Sequence, residues 1–281
     1  MTPTQRKEAI MKNHTATRIH VLARSSLLLA GSVLGLIAAT PAWAQYSPPS
    51  SGLVAWWRGN GDATDSSGNG YNGTMLGGMG FTSGVFGQAF AGNSNQRMFV
   101  NDNPAFQLTS SLSIGAWVNI SAGYAVLQRG DSRGGNDPYQ LSGDNAGHMV
   151  FQIQHDPDTS GKLLSASIPL HQWVQVTATL DGATGDMRLY LNGNLAAEDS
   201  TTIRPFAALN STLSPGIAIG NTASDGDFPL VGGIDEVLLY NRALSPAEVM
   251  SLVPEPGSGA LYTFGAGLLW VIRRRGGAVK Y

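Results

Sequence analysis

The 281-residue chain contains no cysteine, which removes disulfide staples, thiolate metal sites and a cysteine nucleophile from its chemistry. The absence leaves the compartment open, since exported proteins can do without disulfides. Charge is scarce too: Asp, Glu, Lys and Arg make up 13% of the residues, against about 25% in an average globular chain. Between residues 45 and 252, Lys162 and seven Arg face fourteen Asp and three Glu, a net charge of −9. Without a basic footprint to meet phosphates, no nucleic-acid partner is expected, and cations are the better-suited small partners.

Catalytic patterns are missing as well. Glycoside hydrolysis needs two carboxylates about 5–5.5 Å apart for retention or about 6.5–9.5 Å apart for inversion, usually visible as acids alternating along a strand. No such run occurs, and the Glu residues of the middle region are Glu198, Glu236 and Glu248. His148, His155 and His171 follow no zinc spacing. The chain therefore reads as a non-enzyme.

What is present is a long series of short strands broken by glycine turns, in a chain with 36 glycines. Ile114, Ala116, Val118 and Ile120 alternate with Gly115, Trp117 and Asn119, and Met149, Phe151 and Ile153 alternate with Val150 and Gln152. Val174, Val176, Ala178 and Leu180 repeat the pattern, and the turn 181–186 leads into a strand over 187–191. Asn192-Gly193 predicts a hairpin turn of the primed kind and a return strand. Roughly 200 residues in this style can bury about 70–75% of their unfolded surface, enough for an antiparallel sandwich without disulfides.

The most informative stretch is Ile234-Asp235-Glu236-Val237-Leu238-Leu239-Tyr240, read as an interior strand with Ile234, Leu238 and Tyr240 on one face and Asp235, Val237 and Leu239 on the other. After it, Ser245, Pro246 and Glu248 spell an N-cap, a first-turn proline and the acid of a capping box. This run resembles the closing segment of the laminin-G-like, concanavalin-A-like jelly-roll family. The opening segment is similar too, from Gly52-Leu53-Val54-Ala55-Trp56-Trp57 to Asp65-Ser66-Ser67-Gly68-Asn69-Gly70-Tyr71-Asn72-Gly73-Thr74. The resemblance spans 52–252 and implies an all-β antiparallel jelly-roll β-sandwich whose first and last strands meet.

Two kinds of site are expected on it. If Val174 and Val176 face the core, then Gln152, Gln154, Gln175, Thr177, Thr179, Arg188, Tyr190 and Trp117 lie on an outer face, with the amides, hydroxyls and rings that a glycan surface uses. Gln152, Gln175, Arg188 and Tyr190 are the glycan candidates, and an ordinary solvated sheet is the alternative. The resemblance also implies calcium, a hard cation taking 6–8 oxygens. Asp62, Asp65 and Asp235 form a candidate structural calcium set; the alternative gives Asp65 an Asx turn and pairs Asp235 with an arginine such as Arg242. Asp131, Asn136, Asp137, Asn221, Asp225 and Asp227 form a candidate loop calcium set, with solvated loop acids as the alternative.

Both ends read as processing segments. Arg6, Lys7, Lys12, Arg18 and Arg24 precede an apolar run over 27–39 and the small residues of Ala42-Trp43-Ala44, so 1–44 is expected to be a signal peptide that signal peptidase cuts before Gln45. Residues 45–51 are a linker. At the other end, Val253-Pro254-Glu255-Pro256, an uncharged span over 257–272 and Arg273, Arg274 and Arg275 resemble a PEP-CTERM sorting signal over 253–281. As a helix the span is about 24 Å long, short of a ~30 Å hydrocarbon core, with the arginines on the cytoplasmic side. The resemblance implies a transient inner-membrane tether and an exosortase-type sorting enzyme as partner, in a Gram-negative bacterium. The expected product is a surface or matrix protein binding an extracellular polysaccharide, with a structural or adhesive matrix protein as the alternative and a divergent glycosidase as a third reading.

Overall fold

The structure is a computed structural model and describes residues 46–254, apart from 124, 134–136, 158–160 and 224–227. The signal segment 1–44, Asn136, Asp225, Asp227, Glu255, Pro256, Arg273, Arg274 and Arg275 thus lie outside the described residues. Two antiparallel sheets stack face to face. In chain order their strands are β1 (Leu53–Trp57), β2 (Thr74–Leu76), β3 (Gly80–Ser83), β4 (Gln88–Gly92), β5 (Arg97–Asn101), β6 (Leu112–Gly123), β7 (Ala125–Gly130) and β8 (Tyr139–Gly143). There follow β9 (His148–Gln154), β10 (Gly161–Ser167), β11 (Val174–Leu180), β12 (Asp186–Leu191), β13 (Asn194–Ser200), β14 (Gly216–Ile219) and β15 (Leu230–Tyr240), then a short helix α1 (Pro246–Ser251).

The eight-stranded sheet runs β13-β12-β11-β6-β15-β4-β3, with β1 pairing β15 beside β4. The seven-stranded sheet runs β10-β9-β8-β7-β14-β5-β2. Between them lies the core that the alternation predicts: Ile114, Ala116, Val118 and Ile120 of β6, Met149, Phe151 and Ile153 of β9, and Val174, Val176, Ala178 and Leu180 of β11. Asn192 and Gly193 turn β12 into β13 with φ of 49° and 78°, the left-handed pair a primed hairpin requires. This is the expected sandwich, and its first and last strands pair from Leu53 opposite Tyr240 to Trp57 opposite Val237.

β15 departs from the expected alternation. Asp235 pairs with Trp117 and Leu238 with Gly115, so β15 spends one residue more than β6 over the same interval, and Glu236 takes φ 52°. This bulge reverses the side-chain phase. Ile234 joins Val237 and Leu239 in the core, while Leu238 and Tyr240 point to the outside of the sheet. Asp235, expected beside Val237 and Leu239, instead shares the outer face with its cross-strand partner Trp117.

That outer face is covered. Ser245 accepts the Glu248 N–H and Glu248 accepts the Ser245 N–H, so the capping box forms as read, and Arg242 grips Glu248 at 2.9 and 2.6 Å. The capped helix lays Leu244, Val249 and Leu252 over Leu238, Tyr240 and Tyr190 in a second apolar cluster. Each such side chain contributes about 1.5–3 kcal/mol when fully buried, which fixes α1 against the sheet.

Candidate functional site

Burial under α1 changes the reading of the glycan candidates. Gln175 is 1% exposed and donates to Thr177 Oγ1 at 2.7 Å, and Thr177, Thr179 and Tyr190 are also buried. Arg188 stays half-exposed but is held by Asp186 and Glu198. Gln152 is on the other sheet. The four candidates are therefore not brought together, and Gln175 and Tyr190 are structural because the closing helix packs on the face that strand period alone would leave in water.

A polar row does form on the outer face of the seven-stranded sheet. Register places Phe99, Ala218, Gln128, Gln140, Gln152 and Leu163 side by side on β5, β14, β7, β8, β9 and β10. Their chain neighbours Met98, Leu127, Leu141 and Phe151 point into the core, so the row points away from it. At about 4.8 Å per strand it is roughly 24 Å long. Gln140 Nε2 donates to Gln152 Oε1 at 2.7 Å, which orients both amides.

The row ends in a built corner. The Phe99 ring lies across Gly216 and the Asp137 carboxylate lies across Gly130, at positions where a Cβ would come within 2.5 and 2.3 Å of them. Asp137 donates its N–H to Gln154 Oε1 at 3.0 Å, and Gln128 Oε1 accepts from Ala223 N at 2.6 Å. Asp137 Oδ1 is buried without a hydrogen-bond partner. Burial pushes this carboxyl up to about 6, against an opposing hydrogen bond from Gln128. A buried acceptor left open costs about 1–3 kcal/mol, so the corner favours an incoming donor such as a hydroxyl.

The calcium candidates separate. Asp65 Oδ1 accepts from the N–H groups of Trp56 and Ser67, and Oδ2 from Tyr71 N and Ser67 Oγ, the expected Asx turn and more. Asp62 is exposed and caps Thr64 N. Asp235 faces Val85 and Phe86 N–H, and Arg242 belongs to Glu248 rather than to Asp235. These three do not fit a common cation. In the loop set, Asp131 pairs with Arg133, and Asn221 Oδ1 accepts from Thr222 and Phe228 N–H while its amide donates to Ser94 O. Among the described members of that set, Asp137 Oδ1 is buried with no partner. Among the described residues no group of three or more His, Asp or Glu gathers as a metal site.

Reading along the chain missed Gln128, Gln140 and Phe99. A signal existed: Leu127-Gln128-Arg129, Tyr139-Gln140-Leu141 and Phe151-Gln152-Ile153 each set one glutamine between large side chains, in successive strands.

Comparison with known proteins supplies the family. The model Laminin_G_3, described as the concanavalin A-like lectin/glucanases superfamily, matches residues 91–250, more than half of the chain. The chain belongs to this superfamily. Among curated proteins, none matches the sequence. Among solved structures, domain 4 of AbnA, a GH43 extracellular arabinanase from Geobacillus stearothermophilus in complex with arabinotriose, is similar at 22% identity and a TM-score of 0.54. That match covers 72% of this chain and 98% of the domain. The binding domain of botulinum neurotoxin DC in complex with SialylT is similar at 17% identity and a TM-score of 0.53, covering 73% of this chain and 51% of that one. The serotype D ligand binding domain in complex with N-acetylneuraminic acid follows at 18% identity and 0.52, covering 72% and 50%. This chain spans about half the length of the neurotoxin fragments, and at these identities the likeness is one of fold.

Proposed function

We propose that the protein is an exported, cell-surface or matrix-associated binding module without catalytic activity, holding an extracellular polysaccharide across the outer face of its seven-stranded sheet. The observation that carries this is the corner where Asp137 Oδ1, buried and unpartnered, adjoins the Gln128, Gln140 and Gln152 row and the Phe99 ring. A sugar hydroxyl donates to the carboxylate, the amides take and give further hydroxyl contacts, and the ring meets an apolar sugar face. The span's charge of −9 disfavours an acidic polysaccharide, so the ligand is a neutral one. That a similar fold was solved with arabinotriose, a neutral sugar, supports this ligand class, and those solved with sialyl sugars support a glycan partner in general. Against catalysis stands the lack, in the sequence, of acids alternating along a strand.

Calcium stays a proposal for the loop set, on the ground that Asp137, one of its described members, holds an open buried oxygen. Export and sorting rest on the basic-apolar-small order of 1–44 and on the motif, span and arginines of 253–281. A glycan array on the secreted protein, with calcium and with a chelator, tests the reading. Binding to neutral glycans that falls at least tenfold in Asp137→Asn supports it, and loss in chelator adds calcium. A blank array under both conditions overturns it in favour of a matrix spacer.

A further inference from the structure

The bulge on β15 creates a second polar centre, on the outer side of the eight-stranded sheet. Asp235 and Glu236 follow one another there with no exposed surface. The loop after β3 curls onto the first of them: Val85 and Phe86 N–H donate to Asp235 Oδ2 at 2.7 and 3.0 Å, and a Cβ on Gly84 would stand 2.5 Å from that oxygen. Glu236 takes the Trp56 indole N–H on one oxygen and faces Arg58 Nε at 3.4 Å on the other. Arg58 itself lies 5.2 Å over the Trp56 ring.

Three buried atoms beside this arrangement have no partner. Two are acceptors, Asp235 Oδ1 and Oε1 of Gln175, which pairs with Trp117 from β11, and the third is a donor, Nε1 of Trp117, the cross-strand partner of Asp235. Leaving them open is costly, and among native proteins such groups are few. A cation would answer the carboxylate and leave the indole unanswered. A hydroxyl answers both, donating to Oδ1 and accepting from Nε1. Around them stand aromatic rings: Phe86 is 6.3 Å from Trp117, and Tyr46, at the start of the described chain, stacks on Phe86 at 4.5 Å and 34° and reaches Trp56 at 6.0 Å.

We infer that this centre is a second binding site, for a neutral sugar ring, and that the chain's own Tyr46 ring occupies its stacking position when no sugar is bound. The incoming ring takes the Tyr46 place on Phe86 and Trp56 while one of its hydroxyls bridges Asp235 and Trp117. It stands on residues apart from the glutamine row, so each site can fail without the other.

Calorimetric titration of the secreted protein with arabinotriose, cellotriose and maltotriose tests it, in a background of Gln140→Ala and Gln152→Ala that removes the first site. Tyr46→Ala is expected to raise affinity for at least one trisaccharide several-fold by removing the competitor. Trp117→Phe, which keeps the ring and loses the N–H, and Asp235→Asn are each expected to lower it about tenfold, with unfolding midpoints measured alongside. No heat for any of the three sugars with Tyr46→Ala folded, or a soaked crystal with only an ordered water between Asp235 and Trp117, overturns the proposal.

Discussion

Arg129 has no exposed surface, and its guanidinium is met by both carboxylate oxygens of Asp102 at 3.0 Å and by the Ala207 carbonyl. Removing the anion strands a buried charge, so Asp102→Ala is expected to cost about 3–5 kcal/mol, read as a drop in the urea midpoint. The acids at the bulge work in the opposite sense. Burial lifts Asp235 from 3.8 to about 6 and Glu236 from 4.5 to about 7, with Asp137 also near 6. The folded chain therefore holds more protons than the unfolded one between about pH 4 and pH 7, and stability falls as pH rises through that window. Each lifted acid accounts for a loss on the order of 3 kcal/mol at full effect. Glu248, drawn down to about 2 chiefly by its hydrogen bond from Arg242, acts oppositely, losing its contribution as pH falls towards 2. The melting temperature is expected to be higher at pH 5 than at pH 8. The double variant Asp235→Asn, Glu236→Gln should flatten that slope; a wild-type profile that is flat or rises with pH contradicts the assignment.

Among the elements, α1 and β15 define the outer side of the eight-stranded sheet together. Truncating Leu252→Ala, fully buried against Leu238, is expected to cost about 2–4 kcal/mol and to open Gln175 and Thr177 to water, measurable as faster amide exchange on β11. The capping box was legible in Ser245, Pro246 and Glu248 because cap chemistry is local, and so was the Asn192-Gly193 hairpin. The bulge was not. Its left-handed residue is Glu236 rather than a glycine, so nothing in the residue types announces it, and Ile234 and Asp235 were each grouped with the wrong face of the strand beyond it. Nor could strand period tell that the polar face of β11 is buried, where Gln175 Nε2 donates to Thr177 Oγ1 instead of meeting solvent.

For the whole molecule, the sandwich and the meeting of its ends were readable because alternation on β6, β9 and β11 and the two terminal segments all point the same way. The glutamine row was not, since it exists only once β7, β8 and β9 are known to be neighbours in register. Mass spectrometry of the protein from its native surface is expected to find Gln45 at the amino end and a carboxyl end near Pro256; an intact chain contradicts both processing proposals. The central claim, that the seven-stranded sheet holds the glycan, is tested most directly by following the side-chain amide resonances of Gln128, Gln140 and Gln152 while titrating the best ligand from the array. These three are expected to move together, saturate with the measured affinity and stay still in Asp137→Asn. Saturable binding that leaves all three unmoved would contradict it.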